Sequence, residues 1–95
     1  MLTEEVRKFL GYIGANVRRE RERKELTQED LMGLTKFDPR FIRLIERGQG
    51  NMTIETLVRL AKALEVSPAA LLRPRTLAPP RPGRPPKKRT AQRAR

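Results

Sequence analysis

Two helix-start signals stand eleven residues apart, at Thr27 and Asp38, and they constrain this chain more than any other feature. Thr27-Gln28-Glu29-Asp30 fits the capping-box pattern. In that pattern a hydroxyl accepts from a first-turn N–H while an acid three residues on reaches back to the cap. In Asp38-Pro39 the aspartate suits the N-cap, and proline suits the first helical position, where its missing N–H is not needed. The spacing predicts a helix from Thr27 to about Leu34, a tight connection at 35–38, and a second helix from Asp38 to Arg47 that Gly48 ends.

The flanks read as helix too. Leu2, Val6, Phe9, Leu10, Ile13 and Val17 recur in steps of three and four and form one stripe. Thr3 with Glu4 and Glu5 is a start signal. Gly11 and Gly14 weaken this segment, which leaves two options: one long helix to Arg23, or a short helix hinged near Gly11–Gly14. Thr53 caps a further helix through Leu64, with Ile54, Leu57, Leu60, Ala61 and Leu64 on its buried face. Ser67-Pro68 starts a short fifth helix, Ala69 to Leu72, which Pro74 ends. No period-two strand pattern and no internal repeat appears. The expected fold is all-α: a compact four- to five-helix bundle around Val17, Leu31, Phe37, Ile42, Ile45, Leu57, Leu60 and Leu64. Its parts are an N-terminal helix or helical extension at 1–12, a domain at 13–72, and a tail at 73–95.

Charge separates the domain from the tail. The net charge is +11. Residues 1–72 carry a net +2, whereas residues 73–95 carry nine Lys/Arg and no acid. Six of the eight prolines also fall there, with Leu77 as the one large apolar residue. Such a segment buries too little to offset its ordering entropy, so it reads as disordered when free and as a basic arm for nucleic acid first, with an anionic membrane or an acidic protein as alternatives. The chain has no His and no Cys. Disulfides, thiolate nucleophiles, imidazole bases and ordinary zinc sites are therefore excluded, and no catalytic residue, metal or cofactor is expected. Glu4, Glu5, Arg7 and Lys8 interrupt the apolar start, and no later run reaches membrane-spanning length. A cytoplasmic, nucleoid-associated protein is expected.

The capped pair at 27–47 has helix-turn-helix spacing, in which the second helix can lie in the DNA major groove while the first crosses the backbone. Three stretches carry a more specific likeness: Leu26-Thr-Gln-Glu-Asp-Leu31, Ile42-Arg-Leu-Ile-Glu-Arg-Gly48, and Thr53 to Leu64. Together they resemble the phage repressor and Cro-like (XRE-type) helix-turn-helix family over roughly Ile13 to Leu72. Gly50-Asn-Met-Thr-Ile54 is similar to the controller proteins of restriction–modification systems within it. The resemblance implies a sequence-specific DNA-binding transcriptional regulator, a repressor or autoregulator, acting on double-stranded DNA as a homodimer. It implies base reading by Pro39, Arg40, Arg43 and Leu44, and phosphate contacts by Gln28, Lys36, Arg47 and Asn51. It also implies a structural ion pair between Arg21 and Glu46. Val66, Leu71 and Leu72 are the expected dimer patch.

The chain departs from the family pattern at several points. Lys36 replaces the usual turn glycine, so the turn either changes geometry or holds a left-handed lysine. Met32 replaces a small residue. Pro39, Phe41 and Leu44 make the reading helix apolar beside Arg40 and Arg43. Phe41 has three explanations: packing into the core, contact with thymine methyls, or docking of a protein partner. That last option keeps a rival function open, an antitoxin-like or adaptor module that binds a toxin or another regulator. The tail segment with Arg81, Arg84, Lys87, Lys88 and Arg89 partly resembles an AT-hook, although Pro82 interrupts it. It supports either a phosphate-binding arm or an architectural DNA binder led by the tail.

Overall fold

The computed structural model describes residues 3–76. Of the tail expected at 73–95, residues 73–76 are described; 77–95, with the DNA contacts expected of Arg81, Arg84, Lys87, Lys88 and Arg89, lie outside the described residues. Thr3 caps the first helix, its hydroxyl accepting from Val6 N at 3.1 Å. The helix, α1 (Glu4–Arg23), then runs 20 residues without a hinge. Of the two options its glycines left open, the continuous helix is the one formed. Thr27 and Asp30 make both arms of the capping box, at 2.9 and 2.8 Å, and start α2 (Gln28–Thr35). Asp38 accepts from Arg40 N at 2.7 Å, and Pro39 opens α3 (Pro39–Glu46). Thr53 caps α4 (Ile54–Leu64), and Ser67 caps a 3₁₀ turn, Pro68–Leu72. Among the described residues there is no strand.

The helices enclose one core of Ile13, Val17, Leu31, Ile42, Ile45, Leu57, Leu60, Ala61, Leu64 and Leu71. Seven of the eight expected core residues are buried there. The eighth, Phe37, is half-buried against its edge. Two expectations are corrected. Ile54 is 75% exposed rather than on the buried face of α4. It lies on the first helical turn, and Met52 of the preceding loop packs against the core instead. Leu71, expected in a dimer patch, is fully buried, because the 3₁₀ turn folds back against α1 and α4. Only Val66, half-buried, and Leu72 remain at that surface.

Two features of α1 set the geometry of everything else. At Gly14, α1 passes so close to the end of α3 that a Cβ would collide with the Ile45 carbonyl and lie 2.9 Å from Gly48 N. Glycine is required there for approach, despite its poor helix propensity. Gly48 itself sits at φ 75°, a region that favours glycine. Asn16 is also buried. Its amide donates to the carbonyls of Leu71 at 3.0 Å and Arg73 at 2.8 Å, while its Oδ1 accepts from Arg75 Nε at 2.7 Å. This one side chain anchors residues 71–75, so the first residues of the expected tail are held against α1, a correction to the boundary at 73.

Candidate nucleic-acid interface

Helix α3 is divided lengthwise. Ile42, Ile45 and Glu46 are buried and Phe41 is half-buried against the core, so the opposite face carries Pro39, Arg40, Arg43 and, just past the helix, Arg47, all exposed. Leu44 lies half-buried at the boundary. Phe41 meets Phe37 edge to face, with ring centroids 5.2 Å apart. Of the three explanations for Phe41, packing is therefore the one observed. The exposed face is left with Arg40, Arg43 and Arg47 beside Pro39, with Leu44 at its edge.

No acidic group among the described residues pairs with Arg40, Arg43 or Arg47. By contrast, Arg18 and Arg23 on α1 are committed to Glu22 and Glu20, at 3.1 and 3.0 Å. The α3 guanidiniums thus have no acidic partner among the described residues. Arginine matches guanine O6 and N7 or a phosphate in a bidentate manner. Lys36 and Asn51 are also exposed, in the turn before α3 and the loop after it.

The far end of α3 is locked by a buried network. Arg21 Nε donates to Glu46 Oε2 at 2.7 Å, and its Nη2 donates to Oε1 at 3.1 Å. Arg21 Nη1 reaches the Leu26 carbonyl at 2.8 Å. Gln28 Nε2 donates to Glu46 Oε1 at 3.1 Å. One carboxylate therefore ties α1, the start of α2 and the end of α3 together, and both of its oxygens have donors. Gln28 thus directs its amide inward, to the carboxylate that closes the network.

The turn between α2 and α3 holds a left-handed lysine, Lys36 at φ 67°. That conformation costs about 1–2 kcal/mol for an L-residue without glycine's freedom. Its neighbours hold it in place. Lys36 N donates to the Met32 carbonyl at 2.7 Å. The Thr35 hydroxyl donates to the Leu31 carbonyl at 2.8 Å and accepts from Phe37 N at 3.2 Å. Arg59 of α4 lies over the Phe37 ring, 5.2 Å from its centroid.

Sequence reasoning missed Asn16, Thr35 and Arg59, as well as the third member of the Glu46 network. Asn16 carries the one usable signal, a polar residue beside Val17 on an apolar stripe. Arg59 carries none, because its partners Thr35 and Phe37 are about two dozen residues away in the chain.

The family model described as "Helix-turn-helix domain" matches residues 13–73. The chain is 40% identical over 62 residues to the uncharacterized HTH-type transcriptional regulator y4dJ of Sinorhizobium fredii, a match that spans 65% of this chain and 80% of that one. It is 38% identical over 60 residues to control protein C.SmaI of Serratia marcescens, spanning 63% and 71% of the two chains. Among solved structures it is similar to the restriction-modification controller protein C.AhdI of Aeromonas hydrophila. There the identity is 35% and the TM-score 0.62, over 65% of this chain and 94% of that one.

Proposed function

The chain belongs to the helix-turn-helix domain family, and on that footing we propose that it is a sequence-specific DNA-binding transcriptional regulator that sets α3 in the major groove. The observation that carries this reading is the division of α3. One face is fixed by the core and by the Arg21–Glu46–Gln28 network, and the other presents Arg40, Arg43 and Arg47, which have no acidic partner among the described residues. Arg40 and Arg43 are the base readers, with Pro39 and Leu44 beside them for apolar contact with thymine methyls. Gln28, Lys36, Arg47 and Asn51 hold phosphates on either side of the groove. The relatives include controller proteins of restriction–modification systems. By analogy, this chain acts as an autoregulator in the cytoplasm. It works as a homodimer whose two α3 helices are about 34 Å apart on one DNA face. The tail residues Arg81, Arg84, Lys87, Lys88 and Arg89 bind phosphates without reading sequence.

The test is site selection from a random duplex library, followed by binding titrations across salt. The intact chain is expected to select one motif. Arg40→Ala with Arg43→Ala should erase that preference while leaving weak binding to all DNA. Truncation after Thr76 should weaken binding to every sequence alike and flatten the salt slope, by about 0.9 for each phosphate the tail neutralises. An intact chain that selects no motif at moderate salt would overturn the proposal.

A further inference from the structure

Arg59 stands on α4, outside the reading face of α3. Its surroundings nevertheless join α4 to the turn that aims α3. Its guanidinium lies 5.2 Å from the centre of the Phe37 ring, and Phe37 in turn meets Phe41 of α3 edge to face. Its Nη1 points to the Thr35 carbonyl at 3.5 Å, and its Nη2 is steadied by Glu55 Oε2 at 3.0 Å. Thr35 ends α2, whose last turn holds no basic residue. A helix end of that kind favours a cation near its unpaired carbonyls, and α4 supplies one from outside. The next residue is Lys36 in its left-handed conformation, which persists only where neighbours hold it.

We propose that Arg59 is a positioning residue for DNA recognition: by bracing Thr35 and Phe37 it fixes the angle between α2 and α3, and so governs sequence discrimination without touching DNA. The functional half of this inference rests on the DNA-binding reading, whereas the geometric half does not. Arginine suits the task because its planar group can cover an aromatic ring while its edge donates elsewhere.

The experiment uses the full-length, isotope-labelled chain and two variants, Arg59→Leu and Arg59→Lys. Amide residual dipolar couplings of α2 and α3 in the free protein report their relative orientation. Titrations with the selected duplex and with a scrambled one report the specificity ratio. Arg59→Leu is expected to change the α2–α3 orientation and to lower the ratio about tenfold, the effect of spoiling one bidentate base contact. Its affinity for scrambled DNA and its salt slope should stay as in the parent chain. Arg59→Lys, which keeps a cation above Phe37 but loses the planar group and its edge donor, should recover only part of the ratio. An unchanged orientation in Arg59→Leu would overturn the proposal whatever DNA does. So would equal weakening on both duplexes with a salt slope smaller by about one unit, which marks a phosphate ligand. If the parent chain selects no site, the DNA-binding reading fails and the dipolar couplings alone decide the role of Arg59.

Discussion

Gly14 and Gly33 are both glycines inside helices, and alanine should act on them with opposite sign. Helix propensity alone favours alanine at each by about 1 kcal/mol. At Gly33 nothing lies within 4 Å of an added Cβ, so that gain stands. At Gly14 the nearest neighbours of the added carbon are all backbone: the Ile45 carbonyl, Gly48 N at 2.9 Å and the Glu46 carbonyl at 3.1 Å. No side-chain rotation relieves such a clash. The end of α3 must shift away from α1, carrying the buried Arg21–Glu46 pair with it. Overpacking of this kind costs about 1–3 kcal/mol, and more where rigid backbone is struck. Because only backbone is struck, the upper half of that range applies, about 2–3 kcal/mol, and set against the propensity gain a net loss of about 1–2 kcal/mol is expected. For a domain of this size that lowers Tm by roughly 5–15 °C, whereas Gly33→Ala should raise it by roughly 4–8 °C. Thermal unfolding followed by far-ultraviolet circular dichroism measures both. A Gly14→Ala chain that melts at or above the parent temperature would refute the reasoning, since it would show that α3 is free to withdraw.

Two further substitutions probe the buried polar groups. Glu46→Leu leaves Arg21 charged and enclosed and strips Gln28 of its acceptor, so a loss of about 3–5 kcal/mol is expected from urea unfolding. Adding Arg21→Met in the same chain should return much of it, and a double variant no better than the single would argue against an uncompensated charge as the cause. Asn16→Ala removes two donated hydrogen bonds and one accepted one. It should cost about 1–3 kcal/mol and raise hydrogen exchange at residues 71–75, while exchange in α2 and α3 stays near that of the parent.

What the amino-acid order determined by itself is local. Thr3, Thr27, Asp38, Thr53 and Ser67 each cap the element their neighbours predict, because an N-cap bond spans only two or three residues. Most of the core was readable for a similar reason, since periodicity along a helix marks the face that turns inward. The partnership of Arg21 with Glu46 came from family resemblance rather than from spacing. Only the tertiary structure decided the rest. Phe41 turns inward because Phe37 is there to receive it, and Leu71 is core because α1 and α4 close over it. The start of the apolar stripe on α1 stays partly open at Val6 and Phe9. The left-handed Lys36 and the bracing arginine of α4 are likewise set by packing between distant segments, which no local pattern encodes. The helix pair at 27–47 is thus written in its caps, whereas the direction in which its second helix faces is fixed by Gly14, Glu46 and the packing around the turn.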